Sequence, residues 1–215
     1  MSSTSAPFGL RPSFFPTGLE RAQCLQNGIT SGYNANIFKQ QPVAYVSAAN
    51  VGSTGSANGT IIAAQTTTGT STSQQYAVAG SFQGCEFTDT TGRRRVSNYW
   101  PAGTTVQSGS ITNAYFYNDL NIVYDIQADG SMAQTSIGGE YYFTNITAGS
   151  TTVGISQATL GASTAVTNGQ QAQMRVVDLA QQVDNAWGDA YTVVRVQLTN
   201  TNFYGQYVAQ VYIGE

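Results

Sequence analysis

The sequence predicts an all-β fold, an antiparallel sandwich or barrel of which a jelly roll is one form, with an extended N-terminal arm. Three observations predict it. Short runs rich in Val, Ile, Thr, Tyr and Phe recur from Gln41 onward, separated by Gly, Asn, Ser and Asp clusters. No long stretch carries helical periodicity. Three of the five prolines, Pro7, Pro12 and Pro16, fall among Phe8, Leu10, Phe14 and Phe15 near the start of the chain, which forbids a helix there and leaves extended geometry.

Residues 1–20 are therefore set apart as the arm. Its aromatics are costly to leave in water, so it either packs on its own domain as a strand or strap, or lies on a neighbouring subunit. A first β region is expected over 21–110 and a second over 111–215, or a single domain over 21–215, because Gly130 to Gly139 offers a gap between β modules. The expected strands are Pro42–Ser47, Thr60–Ala64, Tyr76–Thr88, Arg95–Trp100, Asn113–Tyr117, Ile122–Ala128, Glu140–Thr144, Thr151–Ile155, Gln173–Leu179, Tyr191–Leu198 and Tyr207–Ile213. Alternation is clearest where Val193, Arg195 and Gln197 interleave with Val194, Val196 and Leu198. Asn27-Gly28, Asn58-Gly59 and Asn168-Gly169 are turn dipeptides. Gly52 to Gln75, nearly all small and polar apart from Ile61 and Ile62, reads as a surface excursion. The run VVDLAQQV over Val176 to Val183 could close one helical turn. No fixed period repeats, which counts against a solenoid or a fibre of stacked units.

One hairpin concentrates the unusual residues. Ala79 to Thr104 holds Cys85, Trp100 and the run Arg93-Arg94-Arg95. Gly80 to Phe87 forms the first strand, Asp89 to Gly92 the turn, and Val96 to Trp100 the return, stopped by Pro101-Ala102-Gly103.

Composition narrows the function. Only 9% of the 215 residues are charged, against roughly 25% in ordinary domains. A neutral polar surface suits a fixed part of an assembly or an adhesin, because little charge keeps free monomers apart. There is no histidine, which removes the commonest general base and metal ligand together. The net charge of -3 argues against nucleic acid as a direct partner. The arginine run reads as a solvated hairpin tip or as a contact with an acidic neighbouring subunit. Cys24 and Cys85 lack a second pair for zinc and are expected as separate thiols. The opening MSSTSAPFG has neither a basic nor an apolar signal region, and no apolar run reaches membrane-helix length, so neither a secretory signal nor a membrane partner is expected.

Reactive motifs are equally sparse. Asp119 with Asp125, Asp125 with Asp129, and Asp184 with Asp189 are the carboxylates that could pair as in a glycosidase, but their settings read as turns. There is no G-x-S-x-G, S-x-x-K, phosphate loop or calcium loop. No catalytic, cofactor-binding or metal residue is named, no cofactor is expected, and the chain is not expected to be an enzyme. Lys39, the only lysine, reads as a strand-edge residue. Tyr115-Phe116-Tyr117, Tyr141-Tyr142-Phe143 and Phe203-Tyr204 could offer faces to sugar, though most of the thirteen tyrosines are expected in core and interface.

The ordered motifs AGSFQGCEFTD, VSNYWPAGT, NDLNIVYDIQADG and SIGG, with the opening APFGLRP, resemble a group of small virion proteins of tailed bacteriophages. That group is described as head decoration, cement or minor structural proteins. The resemblance spans about Ala6 to Gly205 and is densest over Gly80 to Gly139. Where the group often carries a D-D-P turn, this chain has Asn118-Asp119-Leu120-Asn121. The resemblance implies a decoration or cement protein on the outside of the major capsid protein shell, a homo-oligomer, dimer or trimer, assembled in the host cytoplasm. Its partner contacts are expected at Phe8, Leu10, Arg11, Phe14 and Phe15 of the arm and at Arg93, Arg94 and Arg95. The alternatives are a tail or head-fibre protein that binds host surface carbohydrate, and a polysaccharide-cleaving virion enzyme.

Overall fold

In the computed structural model, residues 4–18, 20–46, 56–65, 77–166 and 171–201 are described. They contain fifteen short strands and no α-helix; one 3-10 turn spans Gln134–Ser136. Two antiparallel sheets carry the fold.

The first sheet has the order β2 (Gln23–Leu25), β7 (Asn113–Tyr117), β5 (Gly80–Thr88), β3 (Pro42–Tyr45), β4 (Ile61–Ala63), and β6 (Arg94–Ser97) pairs with the far half of β5. The second has the order β1 (Arg11–Phe14), β8 (Val123–Gln127), β15 (Val193–Leu198), β14 (Met174–Leu179), β9 (Glu140–Tyr141). Two small ribbons complete it, β10 (Phe143–Thr144) with β13 (Thr159–Leu160), and β11 (Gly149–Ser150) with β12 (Ile155–Ser156). The N-terminal strand thus joins the sheet built otherwise from residues beyond 120, while β7 closes the sheet built from residues before it.

Two apolar cores follow from two buried faces. Between the sheets lie Leu10, Tyr124, Ile126, Phe143, Leu160, Met174, Val176, Val194 and Val196, with Ala44 and Tyr117 from the first sheet and Val78 just before β5. A second core gathers Ile29, Ile37, Val43, Ile61, Phe82, Phe87, Trp100 and Phe116. Successive strand residues face opposite ways, so Val43 and Ala44, like Phe116 and Tyr117, serve different cores. The first sheet is therefore covered on both faces, by the second sheet and by a layer of connections that includes Ile29, Ile37 and Trp100.

Two local devices make β5 fit. At Gly80, with φ +154, an added Cβ would sit 1.7 Å from the Tyr117 carbonyl oxygen, so only glycine lets β5 and β7 approach. Gln83 is the extra residue of a bulge between Phe82 and Gly84. It shifts the alternation by one, which is why Phe82, Cys85 and Phe87 all enter the second core.

The structure corrects several expected elements. Thr151–Ile155 is not a strand: Thr151 to Gly154 is the turn of the β11–β12 ribbon, closed by Gly154 at φ +77. Lys39 takes Gly154 O at 2.9 Å and accepts from Ser156 N at 2.9 Å, and these bonds outweigh the strand propensity of the threonines. Val176 to Val183 makes no helical turn, because β14 extends through Leu179 in pairing with β15. Glu140–Thr144 divides at Tyr142 between two sheets. The surface excursion expected over Gly52 to Gln75 does not hold at Ile61–Ala63, a fully buried strand within the expected Thr60–Ala64. The expected Tyr207–Ile213 strand, the Asn168-Gly169 turn and Phe203-Tyr204 lie outside the described residues.

Candidate interaction site: the N-terminal segment and the arginine hairpin

The N-terminal segment is seated on its own chain. Proline at 12 is tolerated because β1 is an edge strand. Leu10 is fully buried between the sheets, donates its amide to Gln40 O at 2.7 Å, and accepts from the Ser81 hydroxyl at 2.7 Å. Gly9 just before it, at φ +77, has Gln40 O where a Cβ would be, at 2.4 Å. Upstream, one amide side chain clamps the strap from both sides: Gln127 Oε1 accepts from Ala6 N at 2.8 Å and Gln127 Nε2 donates to Thr4 O at 3.2 Å.

Charge fixes the register. Arg11, Asp125 and Arg195 stand directly opposite one another on three adjacent strands. Asp125, 7% exposed, pairs with Arg11 at 3.1 Å and with Arg195 at 3.7 Å. The longer contact is beyond hydrogen-bond reach, and Asp125 Oδ1 and Arg195 Nε are buried without such a bond. The Arg11 guanidinium also lies 4.4 Å over the half-buried Phe8 ring. Phe15 meets Tyr117 edge-on at 5.2 Å. Phe14 alone among these points outward, 58% exposed.

The hairpin is built around Asp89. Its carboxylate accepts from Thr91 Oγ1 at 2.6 Å, Thr91 N at 2.9 Å, Arg93 N at 3.0 Å and Arg95 Nε at 2.9 Å. These bonds, the Thr91 hydroxyl first, hold it well below the usual carboxylate range. Arg94 pairs with Glu86 at 2.7 Å and lowers that carboxyl in turn. Two of the three arginines are thus spent within the hairpin. Arg93 makes no ion pair among the described residues. Beneath the tip Trp100 is fully buried, packs edge-on against Phe87 at 5.2 Å, and exchanges both backbone bonds with Ile37, at 2.8 and 3.0 Å.

The structure brings Phe8, Leu10, Arg11 and Phe15 together at the β1 seat and Arg93, Arg94 and Arg95 together on β6 and its turn. The two groups belong to different sheets. The residues that make the seat, Gln127, Asp125 and Arg195, were not singled out by sequence as partners of the arm. Their signal was the polar alternation of Val123, Asp125 and Gln127 against Tyr124 and Ile126, whose polar members are buried.

The carboxylates considered for catalysis are occupied structurally. Asp125 holds the arginines; Asp129 accepts from Thr144 Oγ1 at 3.0 Å and Ala162 N at 2.8 Å; Asp119 accepts from Asn121 N at 2.9 Å; Asp189 accepts from Ala186 N at 2.8 Å. Among the described residues no group of three His, Cys, Asp or Glu is placed to hold a metal ion. Both cysteines are free thiols, Cys24 exposed and Cys85 buried.

Architecture and site together define an antiparallel β protein of two stacked sheets whose N-terminal segment is one of its edge strands. Comparison of the chain with protein-family models, with curated proteins and with solved structures gives no match.

Proposed function

We propose that this chain is a structural part of a virion, a decoration or cement protein that binds the outside of a bacteriophage major capsid protein shell and stabilises the head. The motif resemblance supplies the class. One observation carries the reading physically: most of the basic side chains are paired within the chain. Arg11, Arg94, Arg95, Arg175 and Arg195 all pair within the chain. With only 9% of residues charged, the surface is short of charge, and Val96, Val153 and Ile111 are exposed at 77%, 57% and 52%.

Such a surface suits many weak contacts repeated by lattice symmetry, which add through effective concentration. Arg93, exposed at the hairpin tip and without an ion pair among the described residues, is the hairpin charge available to meet an acidic neighbour. A particle reconstruction tests the proposal. Density for the two-sheet body at regular positions on the head exterior is expected, and density confined to the tail would overturn it.

A further inference from the structure

We infer that residues 4–15 exchange between copies of this chain, each segment taking the β1 seat of a second copy. The occupant is fixed by the seat itself, which cannot stand empty. It holds the fully buried Leu10 side chain and a buried carboxylate, Asp125, whose hydrogen-bonded arginine comes from the segment at 3.1 Å. Without the segment Asp125 would keep only Arg195 at 3.7 Å, and Gln127 would lose both of its partners. A segment that leaves must be replaced by one with the same residues.

Two further features favour exchange. The hydrogen bonds described for residues 4–11 are made with residues distant in the chain: Gln40, Ser81, Asp125 and Gln127. The connection to the body is exposed: Pro16, Thr17, Gly18, Glu20 and Arg21 are solvent-facing, and the hydrogen bonds described for it are two, Gly18 N to Phe15 O at 2.9 Å and the Tyr117 hydroxyl to Glu20 Oε1 at 3.0 Å. Opened, the six residues 16–21 span about 20 Å, enough to reach an adjacent body. The inference concerns contacts between copies of this chain and stands or falls independently of the capsid assignment.

Phe14 and Val123 are direct partners in the β1–β8 register. In a Cys24→Ser background, Phe14→Cys with Val123→Cys places a disulfide across that pair. The full chain is refolded from urea at low and at high concentration, oxidised with oxidised glutathione, and run on a non-reducing denaturing gel. A cross-linked monomer from the dilute sample and a covalent dimer as the main product of the concentrated one are expected. Monomer alone at both concentrations, or no bridge at all, would overturn the inference. So would equal dimer yield from Phe14→Cys alone, which would report a contact between the two residues 14. If the double variant does not fold, deletion of Thr17 and Gly18 asks the same question, since a shortened connection disfavours closure on the same copy. A dimer by light scattering supports exchange, and a monomer refutes it.

Discussion

Replacing Leu10 by alanine measures how firmly the N-terminal segment belongs to the fold. Leu10 is fully buried in the core between the sheets, among side chains drawn from both. The substitution removes three carbons, and at ~0.8 kcal/mol per buried CH2 the transfer loss is about 2.4 kcal/mol. The cavity left between two sheets that cannot close over it raises the total to about 3–4 kcal/mol. With an m-value of about 2.5 kcal/mol per molar urea, the unfolding midpoint should fall by about 1.2–1.6 M at constant slope. Phe14→Ala, four residues on and exposed, should stay within about 0.5 kcal/mol of the parent. The assay is equilibrium urea unfolding followed by tryptophan fluorescence, since Trp100 is fully buried. Equal, small shifts for the two variants would refute the seating of the segment, because a strap resting on the surface would make positions 10 and 14 equivalent.

Thiol chemistry and acid titration probe the hairpin. Burial pushes the Cys85 thiol up to about 12, so at pH 8 its thiolate fraction is about one in ten thousand. A thiol reagent should consume exposed Cys24 quickly and Cys85 only at the unfolding rate, and two fast equivalents in the native protein would contradict the packing of β5. The depressed Asp89 carboxyl contributes stability that is complete above the unfolded value of about 3.9 and is lost as pH falls through the lower folded value. Asp89→Asn should therefore be less stable than the parent at pH 6, with the gap narrowing from about pH 4 downward in denaturant titrations; a gap independent of pH would show that the four bonds to Asp89 do not favour its charged form.

How much of this was legible depends on how each strand is covered. Val193–Leu198 could be read from its alternation because one face of β15 meets the core and Arg195 and Gln197 lie on the other. The strands of the first sheet give a weaker signal, since both faces are buried and Val43-Ala44 or Phe116-Tyr117 are apolar in succession. Their β-branched and aromatic content still marked them. Gln83 hid its bulge, for nothing in GSFQGCEF says which residue is extra. Thr151 to Gly154 failed because propensity is a local prior and the deciding bonds come from Lys39, more than a hundred positions away.

The arm was the hardest case, since its composition allowed two hosts. Proline spacing and aromatics pointed to extended geometry, seen as a strand over Arg11–Phe14, but not to the surface it would cover. What decides that is Asp125, a buried carboxylate on the face of β8 opposite the core-facing Tyr124 and Ile126, which needs arginines from both neighbouring strands and finds them at Arg11 and Arg195.

The register carries one step further, to Asp178 on β14 opposite Arg195. Charges therefore alternate across four adjacent strands in the order Arg, Asp, Arg, Asp. Sliding any of these strands by two residues would keep its apolar face inward yet set a charge against an uncharged neighbour, so the row opposes a slip that hydrophobic pattern alone would permit. A chain with 9% charged residues thus uses several of them to specify pairing. The same economy leaves the outer surface nearly neutral, and contacts made by such a surface are little screened by salt.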